Sequence, residues 1–288
     1  MPTIAGLARA SILIVIAALA FQSVGAQNGH PDESSTVGTP DAAKVIKAAA
    51  DAMGMPRNGA EGGGALPQID VINRMQFWGS GTSSSSGQTY KTDYHVSASY
   101  NPPAMRVEIT RADGATPQHT FQVVRDNYAW DESELGGGLV PGKGTATPSM
   151  TAIKTRLLQL WILPYGVVKA AIAADDKTKV SAENGFTVIT FPLSGELAGV
   201  TEKATLDSKN FITKVETKAD NPSLKDLDLE VDYSDYADHG EVQTDVLSPH
   251  HVVEKRGGKT VLDIEIKMWN ADNPYVVFPV PASVKKPS

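Results

Sequence analysis

Between Ile69 and Val280, apolar residues recur at every second position in one short run after another, and this period of two is the strongest constraint in the chain. Side chains of an extended strand alternate between faces, so such runs assemble into antiparallel sheets with one buried and one solvated face. Before residue 148 the predicted runs are Ile69–Trp78, Thr89–Tyr100, Ala104–Arg111, Gln118–Arg125 and Asn127–Asp131. After residue 174 they are Lys179–Ala182, Phe186–Pro192, Ala198–Leu206, Ile212–Lys218, Lys225–Tyr236, His250–Lys255, Thr260–Trp269 and Tyr275–Val280. Turn chemistry separates them: the serine-rich Gly79–Gly87, Asn101-Pro102-Pro103, Asp113-Gly114, Glu183-Asn184-Gly185 and Gly257-Gly258. No strand-helix-strand alternation and no fixed-length repeat is visible. The expected fold is mainly β with helices (α+β), a large curved antiparallel sheet or unclosed barrel of ten or more strands with a helical lid.

The series is interrupted by a helical stretch at about 149–174. Pro148 is suited to a first turn, whereas Pro164 within Pro164-Tyr165-Gly166 splits the stretch into two helices. An earlier helix is predicted at about 42–53, from an N-cap at Asp41 to a stop at Gly54. The longer stretch carries Leu157, Leu160, Trp161, Tyr165 and Val168. An apolar helix on a sheet ordinarily completes the core, but over a sheet that curves without closing the same residues line a cavity for an acyl chain. Trp78 and Trp130 are the expected contacts from the sheet.

Residues 1–26 have the form of a secretory signal peptide: Arg9, the apolar run Ile12–Phe21, and small residues at Gly25 and Ala26. Residues 27–40 are expected to form a flexible leader, and 41–288 a single β-rich domain. No later stretch is apolar for long enough to cross a bilayer as a helix, so no transmembrane segment is expected after signal cleavage. The expected location is exported, periplasmic or secreted.

A formal net charge of -7 without a run of Lys or Arg gives no footprint for nucleic acid. The absence of cysteine excludes disulfides, thiol nucleophiles and thiolate metal sites. Gly137–Gly144 approaches a phosphate-binding loop, but Gly144 stands where the magnesium-holding hydroxyl belongs. No two of the six histidines are spaced to share a helix face, and His250 and His251, adjacent on a strand, point apart. In Asp226–Asp238 the carboxylates of Asp226, Asp228, Glu230 and Asp232 alternate with apolar residues, the pattern of a solvated strand face. Asp232, Asp235 and Asp238 lack the glycine and terminal glutamate of a calcium loop. No cofactor, metal site or catalytic residue is expected.

Several phrases nevertheless carry a resemblance: Asn127-Tyr128-Ala129-Trp130, Leu158–Gly166 continuing to Lys169-Ala170-Ala171, Lys214-Val215-Glu216-Thr217, Tyr233-Ser234-Asp235-Tyr236, and Pro249–Val253 leading to Gly257–Asp263. Over most of 41–284 the chain resembles an exported β-rich domain found ahead of metallo-β-lactamase-fold hydrolases in environmental bacteria. The order of elements is also similar to the lipoprotein-carrier (LolA/LolB-like) fold, an unclosed antiparallel barrel with a helical lid. No hydrolase domain is expected after Val280-Pro281, and the 288 residues hold no His-x-His-x-Asp-His motif, so inherited hydrolysis is not expected. Gln243–Ser248 is also longer than the connection the resemblance implies.

The leading expectation is an exported, non-catalytic protein holding a lipid, another hydrophobic ligand or an exported protein partner between sheet and helices. Two alternatives are a structural accessory to a separately encoded metallohydrolase, and a metal-dependent hydrolase built on Asp232, Asp235, His239 and His250.

Overall fold

The computed structural model describes residues 41–55, 72–112, 116–220, 222–238, 245–271, 273 and 275–285. The expected signal peptide at 1–26, the leader at 27–40 and His239 lie outside them. Within the unit from Thr39 onward, the first helix is α1 (Ala42–Ala52), where the Asp41 carboxylate accepts a hydrogen bond from the Ala43 N–H at 3.1 Å.

A first meander follows: β1 (Arg74–Ser85), β2 (Gln88–Tyr100), β3 (Pro103–Ala112), β4 (Gln118–Arg125), β5 (Tyr128–Glu132) and β6 (Ala146–Pro148). The chain then forms a short 3-10 turn at Met150–Ala152, α2 (Ile153–Trp161) and α3 (Pro164–Ala174). A second meander comprises β7 (Lys179–Glu183), β8 (Phe186–Pro192), β9 (Val200–Leu206), β10 (Ile212–Ala219), β11 (Leu229–Ala237), β12 (Ser248–Arg256) and β13 (Lys259–Ala271), and α4 (Ala282–Lys285) ends the described chain.

All strands join one antiparallel sheet in the order β6-β5-β4-β3-β2-β1-β13-β12-β11-β10-β9-β8-β7. The two meanders meet where β1 pairs with β13, and among the described residues β6 and β7 are the opposite edges of an open sheet. The link from β6 to β7 must therefore cross the sheet, and α2 and α3 form this crossing. It covers one face, burying Leu157, Leu158, Leu160, Tyr165 and Val168 against Phe77, Val96, Met105, Val215, Val231 and Ile264. Burial of apolar area on this scale is the main term holding the layers together. Among the described residues, no single helix is long and apolar enough to cross a membrane.

Three expectations shift. The serine-rich stretch is strand rather than turn: β1 runs to Ser85, leaving Ser86 and Gly87 to reverse the chain. Its glycines serve close approach, since a Cβ on Gly81 would stand 2.0 Å from the Asp263 carbonyl oxygen across the β1–β13 pair. Pro148 ends β6 instead of starting a helix. Tyr275–Val280 forms no ladder, because Pro279 lacks an N–H to donate. Instead Val276, Phe278 and Val284 cover the sheet face opposite the helices, packing on Ala104, Val123, Trp130 and Ala146.

Candidate functional site

The helical crossing is held at defined points. Arg156 of α2 is 8% exposed; its Nη1 donates to the carbonyls of Val123 (3.0 Å) and Trp130 (2.7 Å), and its Nη2 pairs with Asp131 at 2.6 Å. At the other end Pro164 opens α3, where its missing N–H costs no helix bond, and the two helical segments turn through 98°. The elbow is tight at Gly166, where a Cβ would meet the carbonyl oxygens of Leu160 and Trp161 at 2.6 Å. Tyrosine hydroxyls pin it: Tyr233 donates to Ile162 O at 2.9 Å, Tyr165 to Leu247 O at 2.8 Å, and Tyr100 makes a long contact to Leu160 O at 3.5 Å.

Two spaces flank this elbow. Between helices and sheet lies an apolar crevice of about 40 Å³, lined by Ile162, Leu163, Tyr233, Trp269, Gln159 and Glu254 among others. At ~10–15 Å³ per water it has room for roughly three water molecules. The Trp269 Nε1 and Gln159 Oε1 that border it are buried without a partner, the kind of atom such waters satisfy. A larger groove of about 370 Å³ lies at the margin of the helical layer. Leu157 and Trp161 of α2 and Ala170 and Ala173 of α3 form one wall, Leu193 and Leu197 the other, with Asp126, Lys177 and Glu196 adding polar groups.

Of the seven residues expected to contact a ligand, the groove brings together Leu157 and Trp161. Leu160, Tyr165 and Val168 are almost wholly buried and fill the core, so most of the space between helices and sheet is occupied by the side chains expected to line it. Trp78 lies outside the helix-covered core that takes its neighbour Phe77, and stacks on His95 with ring centroids 4.6 Å apart. Trp130 belongs to the cluster beneath the C-terminal segment, its Nε1 donating to Glu132 at 3.0 Å. Strand alternation accounts for both: Phe77 and Ala129 take the helix-covered side, and the next residue points away.

The groove residues the sequence reading missed have different origins. Ala170, Ala173 and Ala174 follow helical i, i+3, i+4 spacing, a signal open to inspection. Leu193 and Leu197 come from the β8–β9 connection, which only tertiary contact brings to α2.

Of the alternative hydrolase set, His239 lies outside the described residues, and His250 stands on β12 across from the stretch of β11 that holds Asp235. Asp232 faces Lys255 and Lys214, part of a charged row in which the Lys255 ammonium, by hydrogen bonding, holds the Glu230 carboxyl below its ordinary range. Asp235 is exposed at a φ of 58°, accepting from the Ser234 hydroxyl. Among the described residues no three His, Asp or Glu side chains lie together as a metal site would need.

The molecule is thus a mainly β protein, an open antiparallel sheet with helices over one face and a ligand-sized groove at their margin. Among solved structures it is similar to a DUF1329 family protein from Desulfovibrio piger, with 9% identity and a TM-score of 0.45 over 79% of this chain and 93% of that one. It is similar also to a LolA superfamily protein from Nitrosomonas europaea, with 8% identity and a TM-score of 0.44 over 81% and 94%. Likenesses this slight carry no statement about role. No protein-family model and no curated protein matches the chain. The resemblance to the domain preceding metallo-β-lactamase-fold hydrolases therefore rests on the sequence phrases alone.

Proposed function

We propose that this chain is an exported, non-catalytic binding protein whose groove takes the apolar tail of a single-chain amphiphile, leaving the polar head among Asp126, Lys177 and Glu196. The observation that carries this is the groove itself. Its volume of about 370 Å³ is of the size small-molecule sites have, and its wall of alanines leaves a trough while Leu157, Trp161, Leu193 and Leu197 supply apolar contact. The half-buried indole of Trp161 sits in that wall, 5.6 Å from the Tyr100 ring. Export is the reading of residues 1–26.

Titration with dodecanoate, followed by tryptophan fluorescence, tests the proposal. A saturable change is expected in the wild type. It should vanish in Ala173→Trp, which plugs the trough from an exposed helix position without entering the core. Trp161→Phe should bind with the signal largely lost. A wild-type protein that shows no saturation with dodecanoate or a neutral twelve-carbon alcohol would sink the idea.

A further inference from the structure

The sheet has two edges, and they are finished differently. At one, β6 is three residues long, ends at Pro148, which has no N–H to offer, and lies beside α4, whose Ser283 hydroxyl donates to Ala146 O at 3.2 Å. Shortness, proline and a covering segment are the usual means of keeping an edge from pairing. At the other, β7 (Lys179–Glu183) is five residues long and has no proline, and Lys179, Ser181, Ala182 and Glu183 are all exposed. Among the described residues no strand pairs with its outer side.

The β7–β8 hairpin fixes which backbone groups that outer side offers. Asn184 and Gly185 have φ of 52° and 84°, the paired positive values of a type I′ turn, and the residues flanking such a two-residue turn, Glu183 and Phe186, form a hydrogen-bonded pair. Alternation then turns the N–H and C=O groups of Glu183, Ser181 and Lys179 towards β8, and those of Val180 and Ala182 outward. A second β7 laid antiparallel must match outward groups to outward groups. The register that does so over the whole five-residue strand sets Ser181 opposite Ser181 on a two-fold axis. There Val180 of each copy exchanges hydrogen bonds with Ala182 of the other, and Lys179 of each copy stands opposite Glu183 of the other.

We infer that β7 is a self-association edge whose partner is the β7 of a second copy of this chain, joining two open sheets into one across a two-fold axis. Charge makes the edge selective. A single sign of charge on β7 repels a second copy, whereas one Lys and one Glu placed equally far from Ser181 attract it twice, at non-hydrogen-bonded positions where cross-strand side chains come closest. Glu183 is already oriented by Lys203 of its own chain at 2.7 Å and by the Ser181 hydroxyl at 3.3 Å, so in the pair its carboxylate lies between two ammonium groups. Sliding one copy by two residues sets Lys179 against Ser181 and shortens the ladder. A strand pairing of this length buries much less than the ~1,200–2,000 Å² of a lasting complex, so the association is weak and concentration-dependent. None of its residues lines the groove, and it stands apart from the binding proposal above.

The chain has no cysteine, so Ser181→Cys introduces a single thiol, and across a non-hydrogen-bonded pair two such thiols have a Cα separation of about 4.5 Å, within reach of a disulfide. Mild oxidation of the purified protein should link Ser181→Cys into dimers about tenfold faster, or more, than Ser208→Cys, whose thiol lies on the exposed turn before β10. Sedimentation of the wild type from about 10 µM to about 1 mM should show a monomer–dimer equilibrium. Lys179→Glu and Glu183→Lys each set like charges opposite one another and should weaken it by about tenfold, and the double variant should restore it. Both side chains are exposed, so these variants leave the core untouched. A wild type that stays monomeric throughout, equal oxidation at positions 181 and 208, association indifferent to either single reversal, or a double variant as weak as the singles overturns the proposal, whether or not dodecanoate binds.

Discussion

At the scale of single residues, buried polar side chains decide where the helical layer sits. Arg156 is the clearest case, since its guanidinium satisfies two strand carbonyls and one carboxylate from a position with almost no exposure. Replacing it by Ala strands the carbonyls of Val123 and Trp130, and hydrogen bonds from a charged donor contribute about 1.5–3 kcal/mol each. A loss of about 2–3 kcal/mol is expected, read as a lower urea midpoint at unchanged slope. Glu132 has a comparable role on the other side of the sheet, accepting from Trp130 Nε1, from the Gly136 N–H at 2.9 Å and from Arg106 at 3.3 Å. Glu202 differs from these two in that, among the described residues, neither of its carboxylate oxygens has a partner. Its place was legible in principle, because it occupies an inward position between Val200 and Ala204; what the alternation does not reveal is that none of those residues brings a donor to it.

At the scale of elements, the elbow and the C-terminal segment solve different problems. The two helices stack tightly enough that Gly166→Ala must shift backbone carbonyls rather than a flexible side chain. That variant should loosen the elbow, with faster exchange in α3 and weaker dodecanoate binding, while the strand amides keep their protection. Val276, Phe278 and Val284 cover the face that the helices do not, and Arg125 Nη1 fixes the segment through Phe278 O at 2.7 Å. Truncating Phe278 to Ala removes a buried ring, a change that typically costs about 3–5 kcal/mol. Thermal unfolding should show that loss in a protein whose groove still binds dodecanoate, since this segment and the helices cover opposite faces. A period of two read from Tyr275 to Val280 could not distinguish this covering segment from a fourteenth strand: both place alternate residues against a surface, and the prolines decide.

At the scale of the whole molecule, the two faces of the sheet respond oppositely to pH. On the solvated side Lys255 bridges Glu230 and Asp232 and holds the Glu230 carboxyl low, so that stability is present above the ordinary value of 4.5 and is lost as pH falls through the folded value. Each such surface pair contributes only ~0–1 kcal/mol. On the helix-covered side burial holds the Glu202 carboxyl well above the ordinary range and acts in the other direction, with stability lost as pH rises. Urea midpoints against pH should therefore pass through a maximum; Lys255→Met should flatten the acid limb alone and Glu202→Met the alkaline limb alone, and a shared effect of either variant on both limbs would contradict the assignment. By itself the sequence determined that the chain is mainly β, that its strands run in two antiparallel series, and that a proline-split helical stretch lies between them, because these depend on local alternation, turn chemistry and the proline ring. Tertiary structure alone decided that the two series join through β1 and β13, that Trp78 and Trp130 turn away from the helices, and that Leu193 and Leu197 meet Leu157 and Trp161 in a groove. Those outcomes depend on register and on contacts between residues distant in sequence, and the number of non-local pairings open to a sheet this wide is too large for a local pattern to select among them.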